Sequence, residues 1–369
     1  DEQGRKSETV GKGLSPNGSD LVTLTEYDAL GRAVKEWLPT TFSNTGNYIP
    51  PATFASSSRA YYNNDITPFN LTEFEACPSD KVLKQYGPGQ VWHTANRAVE
   101  TTYTANTTAS PLNCYIYKAS ANDKSLTCYG TYPANSLFVV QTKDENNNYS
   151  YTFTDKEGRL ILERKVMNAV CYDTYHVYDI YGNLAFVLPP LASDSLTANS
   201  TWSITTNSAL KNYAYNYRYD SRNRCIEKKL PGCGVITMTY DTADRLIETQ
   251  DSVQRGAASP ISTYYEYDAY GRQTEMGKKS ALGVKTPLLL NYYDNYSFVN
   301  NISGLALYTS YGADTAFPNN LYPNARGMLT GTRTSSLNSP TSYKYTSFYY
   351  GERERLVQCH SQNDLGGIS

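Results

Sequence analysis

A motif of the form Tyr-Asp-x-x-Gly-Arg recurs along the chain and restricts its fold more than any other feature. Six copies align: Tyr27-Asp28-Ala29-Leu30-Gly31-Arg32, Phe153-Thr154-Asp155-Lys156-Glu157-Gly158-Arg159, Tyr178-Asp179-Ile180-Tyr181-Gly182-Asn183, Tyr219-Asp220-Ser221-Arg222-Asn223-Arg224, Tyr240-Asp241-Thr242-Ala243-Asp244-Arg245 and Tyr267-Asp268-Ala269-Tyr270-Gly271-Arg272. A degenerate seventh is Tyr350-Gly351-Glu352-Arg353-Glu354-Arg355. Asp opens a type I turn, because its carboxylate can accept the N–H groups two and three residues ahead. The residue three after it must reach positive φ, where glycine has no Cβ to clash. Asn223 and Asp244 replace that glycine in two copies, and both residue types tolerate the left-handed region. Glu354 tolerates it poorly.

Strand chemistry flanks each turn. Leu160-Ile161-Leu162, Leu184 to Val187, Cys225-Ile226, Leu246-Ile247 and Leu356-Val357 follow it, while Tyr215-Asn216-Tyr217-Arg218-Tyr219 and Tyr265-Glu266-Tyr267 alternate before it. A period of two places the tyrosines on one face, beside one another across stacked hairpins. The recurrent Arg then stacks on such a ring or pairs with an Asp. The expected fold is all-β: stacked antiparallel hairpins forming a curved or spiralling sheet.

Composition agrees. Tyr occurs 35 times, only 18 % of residues are charged, and the formal net charge is −2. Tyr and Thr favour strands, Asn, Ser and Gly the turns between them, and so few charges suit a protein outside the cytoplasm. No basic cluster suggests nucleic acid, and no apolar run nears the ~20 residues of a membrane helix. The polar N-terminus implies a removed signal peptide or a piece of a longer chain.

These repeats resemble the YD-repeat, or Rhs, family of large secreted and surface proteins, which includes polymorphic toxins, insecticidal-toxin cocoon subunits and teneurins. Asp80 to Trp92, Tyr292 to Tyr296 and Ala325 to Gly331 are similar to Rhs-type proteins common in Bacteroidetes. The resemblance implies hairpins that spiral into a hollow shell, in several members around a C-terminal toxic domain. Toxin-carrying members close the shell with an Asp-Pro motif and cleave there. This chain has no Asp-Pro dipeptide and ends at Leu365-Gly366-Gly367-Ile368-Ser369. It therefore resembles a fragment without that core and payload.

Four regions are expected: a mobile segment over 1–20, a β region over 21–150 with one repeat and long loops, dense repeats over 151–280, and a β region over 281–369. Strands are placed near Val82–Tyr86, Ala98–Tyr103, Cys114–Lys118 and Leu137–Thr142, residues 40–75 read as loops with short strands, and Asn207 caps a short helix. No linker clearly divides the chain.

Nothing marks an enzyme. Cys359 and His360 are neighbours on a strand and point to opposite faces, no Gly-x-Ser-x-Gly occurs, and the carboxylates mostly belong to turns. His93, His176 and His360 lack ligand spacing to a cysteine pair. Asp144 to Asp155 has the length of a calcium loop but lacks its glycine and final Glu, so a hairpin explains it better. Seven scattered cysteines allow a Cys114–Cys128 pair and argue against Cys225–Cys233. Neither cofactor nor metal is expected. Two functions stand: a non-enzymatic shell segment whose partner is the rest of its polypeptide or a payload, or a surface module binding glycan or protein through exposed Tyr and Trp. Trp37, Trp92 and Trp202 are expected in the core or inner wall.

Overall fold

A computed structural model describes residues 3–43, 46–120, 124–196, 198–302, 325–336, 342–351 and 353–362. Among them strand outweighs helix, 49 % against 10 %. They form two compact units, Asp1–Tyr213 and Ala214–Ser369, divided at neither residue 150 nor 280.

In the first unit, Asp20–Tyr27 pairs with Glu8–Gly11, Thr40–Phe42 and Ala33–Trp37. The sheet continues through Phe69–Phe74, Val82–Tyr86 and Ala98–Ala105, then Phe138–Lys143, Tyr149–Thr154, Leu160–Met167, Val170–Tyr178 and Leu184–Leu188. Each of these pairings among the described residues is antiparallel; short turns impose this on consecutive strands, while Ala98–Ala105 with Phe138–Lys143 and Ala33–Trp37 with Phe69–Phe74 pair over longer stretches. Tyr115–Ala119, Ser125–Thr131 and Thr201–Ser203 make a separate small sheet. The irregular stretch after Leu191 thus supplies a strand, and the helix Ser208–Tyr213 follows, with Asn207 Oδ1 accepting from the Leu210 N–H at 2.9 Å as its cap.

Two expectations need correction here. Residues 1–20 are not wholly mobile, because Glu8–Gly11 is a strand in register with Leu21 to Leu24. Residues 40–75 hold an α-helix, Pro51–Tyr61, in what reads as a Ser-rich loop. Pro51 suits the first helical turn, and Phe54 and Ser58, four apart, turn one face inward. Phe54 is fully buried against Trp37, Phe69, Val22 and Leu24, with ring centroids 6.0 Å from Trp37 and 5.6 Å from Phe42. The burial of one apolar stripe, not local propensity, makes that helix. A second short helix, Gln90–Thr94, follows Gly89.

The second unit is an antiparallel meander of Tyr215–Tyr219, Cys225–Lys229, Val235–Tyr240, Leu246–Gln250, Ile261–Tyr267, Gln273–Ser280, Lys285–Asp294, Ala325–Ser335, Tyr343–Tyr350 and Leu356–Ser361. All seven cysteines are free: Cys128 faces Tyr117 across the small sheet, and Cys114 lies opposite Tyr132. The terminal residues 365–369 lie outside the described residues.

Candidate functional site

The six turns that carry the Asp share one construction, and the seventh keeps only its backbone bonds, from the Gly351 N–H to the Arg355 carbonyl and from the Glu354 N–H to the Gly351 carbonyl. In the first, the Asp28 N–H donates to the Arg32 carbonyl at 3.0 Å and the Gly31 N–H to the Asp28 carbonyl at 3.0 Å. Asp28 Oδ1 accepts from the N–H groups of Leu30 and Arg32, both at 2.9 Å, and Oδ2 accepts from Arg32 Nε at 2.8 Å. Asp155, Asp220, Asp241 and Asp268 repeat this with Arg159, Arg224, Arg245 and Arg272. Asp179 does so with Asn183, whose carboxamide replaces the guanidinium. The carboxylate therefore accepts two and four residues ahead, not two and three, because the chain reverses only at the left-handed residue. Gly31, Gly158, Gly182 and Gly271 have φ between 80° and 88°, Asn223 has 58° and Asp244 has 62°. Glu354 reaches 56° despite its propensity. Each turn closes with a register shift just before Tyr27, Tyr178, Tyr219, Tyr240 and Tyr267, a bulge that bends the strand.

The same side chains join one hairpin to the next. Arg224 Nη1 donates to the Asp241 carbonyl at 3.1 Å while its guanidinium lies 4.9 Å over the Tyr240 ring. Tyr240 returns a bond, its hydroxyl donating to the Cys225 carbonyl at 2.8 Å. One step on, Arg245 donates to the Asp268 carbonyl at 3.1 Å and covers the Tyr267 ring at 5.1 Å, and Tyr267 donates to the Leu246 carbonyl at 2.8 Å. In the first unit Arg159 covers Tyr178, which donates to the Leu160 carbonyl at 3.1 Å. The two roles foreseen for the Arg, stacking and pairing, are thus filled at once. Asp fixes the guanidinium plane, and the fixed plane meets the following ring and carbonyl.

Two further turns belong to this ladder and escape the motif. Gly4 has φ 75°, Arg5 lies 4.4 Å over the Tyr27 ring, and the Tyr27 hydroxyl donates to the Lys6 carbonyl at 2.8 Å. Gly4-Arg5-Lys6 thus acts as the trailing half of a repeat ahead of Tyr27; Asp1, three before Gly4, lies outside the described residues. The other copy is split. Tyr293 donates to the Gln273 carbonyl at 3.1 Å, Arg272 covers its ring at 4.3 Å, and Asp294 takes both Arg272 Nη atoms at 2.9 and 2.6 Å. Asp294 Oδ1 also accepts from the N–H of Gly327, φ 86°, so the halves of one repeat flank residues 295–326. The Tyr293-Asp294 dipeptide stands 26 residues after Tyr267-Asp268, and that spacing was the available signal.

Comparisons with known proteins bear on the whole arrangement. A domain of unknown function, DUF6443, matches residues 1–105, and no curated protein matches the chain. Among solved structures, that titled TcdB2-TccC3 superposes with TM-score 0.52 at 13 % identity over 99 % of this chain, and that titled TcdB2-TccC3-TEV with 0.51 at 13 % over 95 %. This chain has a fold similar to part of TcdB2-TccC3. It spans 16 % of the TcdB2-TccC3 chain, and at that identity the likeness is one of fold alone.

Asp144, weighed above as a calcium ligand, accepts from the N–H groups of Asn146 and Asn148 and from the Asn148 carboxamide, all at 2.8 Å, inside the hairpin joining Phe138–Lys143 to Tyr149–Thr154. Asn147 is left-handed at φ 64°, so this is again the repeat turn, with Asn replacing both Gly and Arg. Arg164 and Asp173 face one another across a hairpin as a buried two-bond pair, 2.7 and 2.5 Å. Arg164 Nη1 also donates to the Pro111 and Asn113 carbonyls, 2.6 and 2.9 Å, fastening the small sheet's leading loop to the main one. Beside it a polar cavity of about 100 Å³ is lined by Tyr115, Tyr117, Tyr132, Tyr175, Asp155 and His176, among others. Burial raises the Tyr117 and Tyr175 phenols well above their usual range and pushes Tyr132 up to about 12, so these hydroxyls stay protonated. Cys359 is exposed and His360 buried, on opposite faces as expected. Trp37 is in the core, whereas Trp202 is half-buried and Trp92 39 % exposed, a correction for Trp92, which sits on a surface helix.

Proposed function

We propose that the chain is a structural wall segment of an Rhs or YD-repeat shell, in a secreted or surface-exposed protein, and performs no catalysis. The observation carrying this reading is the unbroken relay Arg224, Tyr240 and Asp241, Arg245, Tyr267 and Asp268, Arg272, Tyr293 and Asp294, in which each hairpin is clamped to the next. Its Asp carboxylates are spent on turns and its guanidiniums on neighbouring hairpins, which serves rigidity. The fold likeness to part of TcdB2-TccC3 supports the same reading. The partner of such a wall is the rest of its own polypeptide, including a C-terminal domain it encloses or presents. Electron microscopy of the full-length product tests this: a closed wall around an internal space is expected, and a flat or rod-like particle overturns it. Proteolysis gives a second check, since an enclosed domain resists protease until the wall is melted.

A further inference from the structure

A groove in the first unit stands apart from the ladder. The helix Pro51–Tyr61 ends at Tyr62, and two consecutive left-handed residues, Asn63 at φ 56° and Asn64 at φ 63°, turn the chain back toward Asp65. Across from them runs the helix Gln90–Thr94, tethered because the Gln90 N–H donates to the Asp65 carboxylate at 2.9 and 3.0 Å. Between the two is an open groove of about 680 Å³ lined by Tyr62, Asn63, Asn64, Gln90, Val91 and Thr94, with Asp65 and Ala95. That is within the ~300–1,000 Å³ usual for ligand pockets.

The lining chemistry is selective. Asp65 is its one ionisable carboxylate, and the N–H groups of Thr67 and Gln90 and the Thr67 hydroxyl occupy it. The Tyr62 hydroxyl is spent on the Pro39 carbonyl at 2.6 Å, leaving its ring as an apolar surface. Val91 adds a second apolar surface, 79 % exposed. Among the described residues, the side-chain carboxamides of Asn63, Asn64 and Gln90 have no partner. A carboxamide carries two donors and an acceptor, the complement of hydroxyl groups that both donate and accept. An aromatic ring and a valine suit the C–H face of a sugar ring. Asp65 stays ionised, held below its usual range by these hydrogen bonds against the cost of burial, but its oxygens are already engaged by three donors. With no Lys, Arg or His in the lining, the groove offers an anion nothing and a cation only an occupied carboxylate.

We propose that this groove binds a neutral oligosaccharide, held by the Asn63, Asn64 and Gln90 carboxamides and seated on Tyr62 and Val91. The site adds a recognition function to the wall and does not depend on the shell reading. Asn63 and Asn64 are placed by their tolerance of positive φ, so Asn63→Gly and Asn64→Gly remove the carboxamides without straining the backbone.

The test is direct binding of the whole chain to arrayed neutral glucan, mannan and chitin oligosaccharides, beside sialylated and heparin-type glycans and an unstructured peptide pool. At least one neutral glycan should bind, with an affinity unchanged in high salt. The triple variant Asn63→Gly, Asn64→Gly, Gln90→Ala should lose about tenfold or more, the scale expected when hydrogen bonds of ~1 kcal/mol each are removed. Its melting temperature should match the parent, and Asn64→Asp, which keeps shape and fold, should also weaken binding. Absence of neutral-glycan binding, binding unaltered in both variants, binding only to charged glycans in a salt-sensitive manner, or binding only to peptides would each overturn the assignment.

Discussion

Gly271 has φ 82°, and a Cβ built there meets no atom within 4 Å, so any cost of a side chain is backbone strain alone. Gly271→Val is expected to destabilise by more than ~1 kcal/mol, because a β-branched residue is forced into the left-handed region. Gly271→Asn should cost far less, as Asn223 already fills the equivalent site at φ 58°. Chemical denaturation of the two variants compares them, and equal losses would refute the argument. The turn carboxylates also make a pH prediction. Hydrogen bonds from the Arg224 side chain and backbone hold Asp220 below its usual range, and the Arg32 N–H does the same for Asp28. Arg272 and the Gly327 N–H pull Asp294 down to about 2 from 3.8. A carboxylate depressed in the folded state contributes stability above its unfolded value that is lost as pH falls through the folded one. Melting temperature should therefore hold steady down to about pH 4 and fall between about pH 4 and 2. Asp294→Asn should flatten part of that fall.

At the scale of elements, the helix Pro51–Tyr61 and the Arg164–Asp173 pair depend on what covers them. Phe54 is fully buried among Trp37, Phe69, Val22 and Leu24. Phe54→Ala should cost ~3–5 kcal/mol, the range for an aromatic removed from a core. Replacing Arg164 by Met strands the Asp173 carboxylate in a site 9 % exposed. A loss of ~3–5 kcal/mol is expected, because an unpaired buried charge costs more than the pair gains. Restoring shape without charge, Arg164→Met with Asp173→Leu, should recover much of it, and a denaturant series on the three proteins decides the matter. Arg164 and Asp173 are symmetric about the left-handed Asn168 and Ala169 of a tight hairpin, but no turn motif marks that hairpin in the sequence, so the pair was not legible there. Nor was the helix, because its Ser-rich face reads as loop until Phe54 has a core to enter.

At the scale of the molecule, stacked hairpins bury one another's faces, and stability in such arrays is carried by nearest neighbours. Damage at Gly271 should spread to the hairpin at Tyr240, one clamp away in the same unit, more than to that at Tyr27 in the first unit. Hydrogen exchange of Gly271→Val would read this as lost protection over Val235–Tyr240 and Leu246–Gln250 while Asp20–Tyr27 keeps its own. Uniform loss would mean that the whole chain melts as one body.

Turn geometry, strand flanks and the all-β class were written in the sequence, because an Asp carboxylate and a left-handed residue act over five consecutive positions and need no distant partner. Tertiary structure alone decided which carbonyl each Arg reaches, since that depends on the register of the next hairpin. It also closed the split repeat, bringing Gly327 to Asp294 across 33 positions, and paired Thr201–Ser203 with Ser125–Thr131. Contacts of that range carry a loop-closure entropy that no local motif offsets, so only the packed fold decides them.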